Sequence, residues 1–285
     1  MLCLLCHDSN QRERKEKQMP YFMSGDGLNI HYDTEGAGPE VVMIHGFESS
    51  FERNWKRPGM TDALAAENRC VMIDCRGHGE SDKPYDPEMY GAKMLNDVID
   101  LLDHLNINKA NILGYSMGSS ISLNMVLTHP ERVKSAILGG FGLRDPDQAD
   151  REARRSQRIL DALLADSMDS IDPRNRLGRE FRRVAEEGNA DLKALAAIRM
   201  GSDKNKWPVS LMNRETLAQN IRSISVPLMT VIGNDDLIRG DRSSLAMLVP
   251  DGCHFQIEGK DHLTAVPDPR FHMVVKAFLK YVNSL

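Results

Sequence analysis

The chain has 285 residues, 41% of them hydrophobic and 27% charged, with 36 Lys and Arg set against 41 Asp and Glu. That length suits one large α/β domain with room for an inserted subdomain, and the formal net charge of -5 offers no general attraction to nucleic acid or to an anionic membrane. Five cysteines, Cys3, Cys6, Cys70, Cys75 and Cys253, form an odd set without a disulfide rhythm, which points to a reducing compartment and, with no export signal legible, to the cytoplasm.

Residues 1–20 read as a flexible tail. Their CLLCH, with Cys3, Cys6 and His7, is half of a zinc-site pattern without a second pair at suitable spacing, and the apolar run is too short to span a membrane. Folded structure is predicted from Tyr21, with a strand hairpin to Tyr32 broken by Gly25 and Gly27. VVMI at 41–44 is a short continuous apolar run, the pattern of a strand buried on both faces, and it ends in His45, Gly46 and Phe47. CVMID at 70–74 repeats the pattern before DCRGHGESD. Met94, Leu95, Val98, Leu101 and Leu102 have helical spacing over residues 90–105. ANILG at 110–114 is a further strand, followed by a helix over 117–128 that Pro130 stops, and by a strand in VKSAILGG at 133–140.

The alternation breaks between Phe141 and Ile224. Helical apolar positions at Ile159, Leu160, Leu163 and Leu164, and a second helix around 190–200, predict a mainly helical insertion placed as a lid. Its arginines are read as solvent-facing, with contacts to an acidic substrate as the alternative. Strand character returns in VPLMTVIG at 226–233, ahead of NDDLI; residues 241–249 read as helix, HFQI at 254–257 as strand and 268–283 as the closing helix.

The predicted fold class is therefore α/β: a mostly parallel sheet covered by helices, with a core of residues 21–140 and 225–285 and a helical cap of 141–224. Ligand chemistry in such a sheet belongs to the loops beyond the carboxyl ends of its strands.

The pattern with most chemical content is GYSMG at 114–118. It lies between a predicted strand and a predicted helix, where Gly114 and Gly118 leave room for a sharp turn that lifts the Ser116 hydroxyl clear of the sheet. The Met117 N–H, at the start of the helix, then faces any negative charge that develops on a carbonyl oxygen attacked by Ser116. A serine hydroxyl needs a base, and the base an orienting carboxylate. Asp235 and Asp236 follow the strand ending VIG, and His262 lies further on in GKDHL.

Over residues 21–285 the chain resembles the α/β-hydrolase superfamily, in its serine-nucleophile branch with a helical cap, through HGF, DCRGHGES, GYSMG, GNDD and DHL in that order. The resemblance implies that Ser116 is the nucleophile, His262 the general base and later acid, and Asp236 the orienting acid, with Asp235 as the alternative. It also implies that the Phe47 and Met117 N–H groups form an oxyanion hole, that His45 stabilises its loop, and that Asp74 and the residues from Arg76 to Ser81 organise a second loop. No cofactor or metal is called for, and RGHGES lacks the strand-to-helix context of a dinucleotide fingerprint. The implied substrate is a small carboxylic ester, with carbon–carbon or amide hydrolysis, or ligand binding without turnover on the same scaffold, as alternatives. Serine at position 116 argues against dehalogenase or epoxide hydrolase chemistry, which resembles versions with an aspartate nucleophile. The composition does not fix the oligomeric state, and monomer is the default.

Overall fold

The computed structural model describes residues 20–142, 149–204, 207–236 and 244–285. The Cys3, Cys6 and His7 cluster and residues 237–243 lie outside that description. The strands are β1 (Tyr21–Met23), β2 (Asn29–Glu35), β3 (Glu40–Ile44), β4 (Arg69–Ile73), β5 (Ala110–Tyr115), β6 (Val133–Gly139), β7 (Leu228–Gly233) and β8 (Gly252–Ile257). They form one sheet in the order β1-β2-β4-β3-β5-β6-β7-β8. β1 and β2 make the predicted hairpin, β2 also pairs antiparallel with β4, and every later pairing is parallel.

The apolar runs become central strands because both of their faces are covered. Val42, Ile44, Val71, Ile73 and Ile112 face one layer, which holds α2 (Lys93–His104) and α3 (Met117–Thr128). The alternate residues Val41, Met43, Met72, Leu113 and Ile137 face the other, with α1 (Met60–Ala65) and α9 (Pro269–Val282). Each such side chain contributes about 1.5–3 kcal/mol by leaving water. Central α3 is buried almost all round. Its polar residues fit there because the Ser119 hydroxyl donates to the Gly114 and Gly139 carbonyls, and the Ser122 hydroxyl to that of Gly118. α9 begins at Asp268, whose carboxylate accepts from the Arg270 N–H, with Pro269 in the first turn.

Register decides where chemistry can occur. Ile44 is level with Ile73 and Gly114, Tyr115 with Gly139, and Gly233 with Ile257. The loops that leave β3, β4, β5, β6 and β7 therefore open along one edge.

The insertion between β6 and β7 contains α4 (Ala149–Leu164), α5 (Arg176–Glu187), α6 (Leu192–Lys204) and α7 (Arg214–Arg222); α8 (Ser244–Leu248) lies between β7 and β8. Of these four inserted helices among the described residues, the sequence pattern predicts only two. Leu195 to Ile198 on α6 are buried and belong to the same apolar cluster as α2 and α3. One arginine departs from the solvent-facing expectation. Arg182 is only 5% exposed, donates to the carbonyls of Ala162 and Ala165 and pairs with Glu186 at 2.7 Å. It satisfies backbone acceptors at the end of α4 that the chain turn leaves open. Arg183 does meet the expectation, standing outside between Glu180 and Glu187. No helix among the described residues is long and apolar enough to cross a membrane.

Candidate active site

Ser116 occupies the turn between β5 and α3 with φ 52° and ψ -104°. This is a disfavoured conformation for a residue with a side chain, of the kind that costs about 1–3 kcal/mol and persists only where its surroundings impose it. The imposing contacts are visible. The Ser116 N–H donates to the Gly139 carbonyl at 2.8 Å, and its own carbonyl accepts from Ser120 at 3.2 Å. A Cβ at position 114 would lie 2.4 Å from the Gly118 carbonyl oxygen, and one at 118 only 2.0 Å from that of Ile44. Both glycines are thus required by main chain passing against main chain.

His262 reaches this turn from the loop after β8. Its Nε2 is 2.9 Å from Ser116 Oγ and its Nδ1 is 2.6 Å from Asp236 Oδ2. Because the carboxylate accepts, the proton is assigned to Nδ1, which leaves the Nε2 lone pair for the serine hydroxyl. Asp236 is fully buried. Its neighbour Asp235 is exposed and uses its backbone instead, donating its N–H to the Lys260 carbonyl at 2.9 Å. The structure therefore brings Asp236, and not Asp235, to the imidazole.

The His262 turn has its own support. Asp261 Oδ1 accepts from the N–H groups of Leu263 and Thr264 and from the Thr264 hydroxyl. The Thr264 hydrogen bond, against the opposing effect of burial, leads in holding the Asp261 carboxyl below its usual range.

On the opposite side of Ser116 lies the HGF loop after β3. Gly46 is close enough that a Cβ there would stand 3.4 Å from Ser116 Cβ, and its N–H donates to Asn54 Oδ1 at 3.0 Å. Among the described residues, neither the Phe47 nor the Met117 N–H donates to a protein acceptor. Met117 is in the first turn of α3, where no intrahelical acceptor exists. His45 is fully buried and committed to the loop: Nδ1 is 2.7 Å from the Gly46 carbonyl and Nε2 accepts from the Cys75 N–H at 3.0 Å. Burial pushes its pKa down.

Glu48, the residue after Phe47, has φ 64° and is 5% exposed. Its Oε1 has no hydrogen-bond partner among the described residues, and burial drives its carboxyl up to about 9 despite the pull of Arg199 and Arg53. The Arg199 guanidinium, from α6 of the insertion, stands 5.5 Å above the Phe47 ring.

The loop after β4 is held by its own charges. Asp74 accepts from the N–H groups of Phe51 and Glu80 and from His31 Nδ1 at 2.8 Å. Arg76, only 1% exposed, grips Asp97 and Asp26 with paired hydrogen bonds and donates to the Met89 carbonyl. His78 packs edge-on against His45 and Phe47, and burial lowers its pKa to about 3. Among the described residues no group of three His, Cys, Asp or Glu side chains could hold a metal ion.

Sequence reasoning passed over Asn54 and Asp261 with Thr264, and it gives Tyr115 only a packing role, whereas the Tyr115 hydroxyl donates to the His262 carbonyl at 2.6 Å. The D-x-x-T spacing was a usable turn signal; nothing local marks Asn54 as the partner of a glycine eight positions away.

Comparison with known proteins agrees with the α/β fold. A family model described as alpha/beta hydrolase fold matches residues 39–237. A Bacillus subtilis protein described as a 2-succinyl-6-hydroxy-2,4-cyclohexadiene-1-carboxylate synthase is 24% identical over 271 residues, covering 89% of this chain and 96% of that protein. An epoxide hydrolase from Caballeronia sordidicola is 34% identical, over 44% of this chain and 37% of its own length. Among solved structures, a thermophilic esterase from Thermogutta terrifontis superposes with a TM-score of 0.70 at 21% identity, covering 93% of this chain and 99% of that one.

Proposed function

Since the chain belongs to the alpha/beta hydrolase fold family, we propose that it is a serine hydrolase cleaving a small carboxylic ester through a covalent acyl-enzyme. The observation that supports this most is the continuous run of short contacts from Ser116 Oγ to His262 at 2.9 Å and from His262 to Asp236 at 2.6 Å. In this reading His262 Nε2 takes the Ser116 proton as Oγ bonds to the ester carbonyl carbon. The Met117 and Phe47 N–H groups receive the oxyanion, each contributing on the order of 10²–10³ in rate. The charge that appears on the imidazole is stabilised by Asp236 at Nδ1. His262 then gives its proton to the departing alkoxide, and a water deprotonated by the same nitrogen releases the acid and restores Ser116. Serine at position 116, in place of an aspartate, favours this route over epoxide opening.

The test is intact-mass labelling with a serine-directed fluorophosphonate, followed by peptide mapping, alongside turnover on short and medium acyl esters. Labelling is expected at Ser116, dependent on His262, and Ser116→Ala should abolish turnover while leaving the fold intact. Turnover retained by Ser116→Ala would overturn the acyl-enzyme.

A further inference from the structure

Tyr115 sits one position before Ser116, at the end of β5, and only 5% of it is exposed. Its hydroxyl donates to the backbone carbonyl of His262 at 2.6 Å, and its ring centroid lies 5.3 Å from that of the His262 imidazole. The other side of the ring meets Phe271 of α9 at 6.1 Å. Burial accounts for the packing, but not for where the hydroxyl goes. It is spent on the one carbonyl whose position fixes the backbone of the base.

The seat for this contact is made by the double glycine that ends the β6 segment. A Cβ on Gly139 would come within 2.7 Å of the Tyr115 ring. One on Gly140, whose φ of 56° already disfavours a side chain, would come within 2.8 Å of that ring and 3.1 Å of the imidazole Cε1. The adjacent glycines therefore leave a slot in which phenol and imidazole lie together. Ser116 and His262 are 146 positions apart in sequence, yet the residue next to Ser116 is bonded directly to His262.

We propose that Tyr115 is a positioning residue for the base: its hydroxyl fixes the His262 main chain, and its ring fixes the imidazole plane, so that Nε2 stays in line with Ser116 Oγ. The proposal rests on the reading of Ser116 as nucleophile and His262 as base. It assigns a role to the second residue of GYSMG and a reason for the glycine pair.

The experiment compares full-length wild type with Tyr115→Phe, which removes one oxygen and keeps the ring, and with His262→Ala alone and combined with Tyr115→Phe. Turnover is read on a short-chain p-nitrophenyl ester and normalised to folded protein, with fluorophosphonate labelling of Ser116 as a second readout. Tyr115→Phe is expected to lower kcat about tenfold, the size of one positioning hydrogen bond, with KM within about twofold. Labelling of Ser116 should slow by a similar factor, and the loss should vanish when His262 is already alanine, because the two residues act through one path. A folded Tyr115→Phe protein with unchanged kcat and labelling rate overturns the proposal, and so does a loss of the same size in the His262→Ala background. Should Tyr115→Phe fail to fold, Gly140→Ala, which presses on the phenol and the imidazole together, gives the same kcat and labelling comparison. If Ser116 of the wild type takes no label, the nucleophile reading itself has failed; a labelled wild type matched by an equally fast variant removes this inference alone.

Discussion

Two histidine–aspartate pairs, one buried and one partly buried, lie near the carboxyl edge of the sheet, and they differ in what completes them. His262 Nδ1 is 2.6 Å from Asp236, and His31 Nδ1 is 2.8 Å from Asp74. The far nitrogen of His262 meets the Ser116 hydroxyl, whereas that of His31 has no hydrogen-bond partner among the described residues. Asp74 instead gathers the Phe51 and Glu80 amides. Burial alone would raise the Asp74 carboxyl, but His31, His45 and those two amides hold it below its ordinary value. A paired imidazole and carboxylate can serve the structure alone, as at His31 and Asp74, and the proposed function requires the hydroxyl that completes the pair at His262.

Breaking each pair separates the two roles. Asp236→Asn is expected to lower kcat for ester hydrolysis by about 10³–10⁴-fold, through loss of the correct tautomer, while the protein still folds, as judged by circular dichroism. Asp74→Asn should do the reverse. It should cost about 3 kcal/mol in urea unfolding, because buried donors lose their charged partner, with kcat of the folded fraction changed by less than about tenfold. Equal effects of both substitutions on turnover would erase the distinction.

Glu48 sharpens the contrast as a buried carboxyl with no histidine. Held at about 9 against an ordinary value of 4.5, it keeps a proton that the unfolded chain gives up, so between those values the native state binds more protons. Stability must then fall as pH rises through that window. Glu48→Gln should flatten this slope and melt roughly 2–4 °C higher than wild type at pH 9. The smallest effect is expected at Asp235. Its side chain is exposed, so Asp235→Asn should leave kcat within about twofold, and a loss matching that of Asp236→Asn would reverse the assignment of the two carboxylates.

The central strands were legible because VVMI, CVMID, ANILG and LMTVIG are apolar on both alternating faces, which only a doubly covered sheet satisfies. The helices α5 and α7 were not, because their many charged residues obscure a narrow apolar stripe. Ser116 and His262 could be picked out by motif and order. The choice between Asp235 and Asp236 could not, since both have the same chemistry; the turn after Gly233 points one inward and the other outward. Arg182 was misread as solvent-facing because nothing in its own segment announces the open carbonyls of α4 that it serves. His31 was overlooked because its partner, Asp74, is 43 positions away.

The contact of Gly118 with the Ile44 carbonyl has a consequence for how this pocket can diversify. The spacing between the Ser116 turn and the HGF loop is gauged by peptide against peptide, since a Cβ at 118 would stand 2.0 Å from the Ile44 carbonyl oxygen and 2.8 Å from that of His45. Substitutions can therefore reshape the walls around the substrate without recalibrating that gauge, whereas a single methyl at residue 118 would wedge it open.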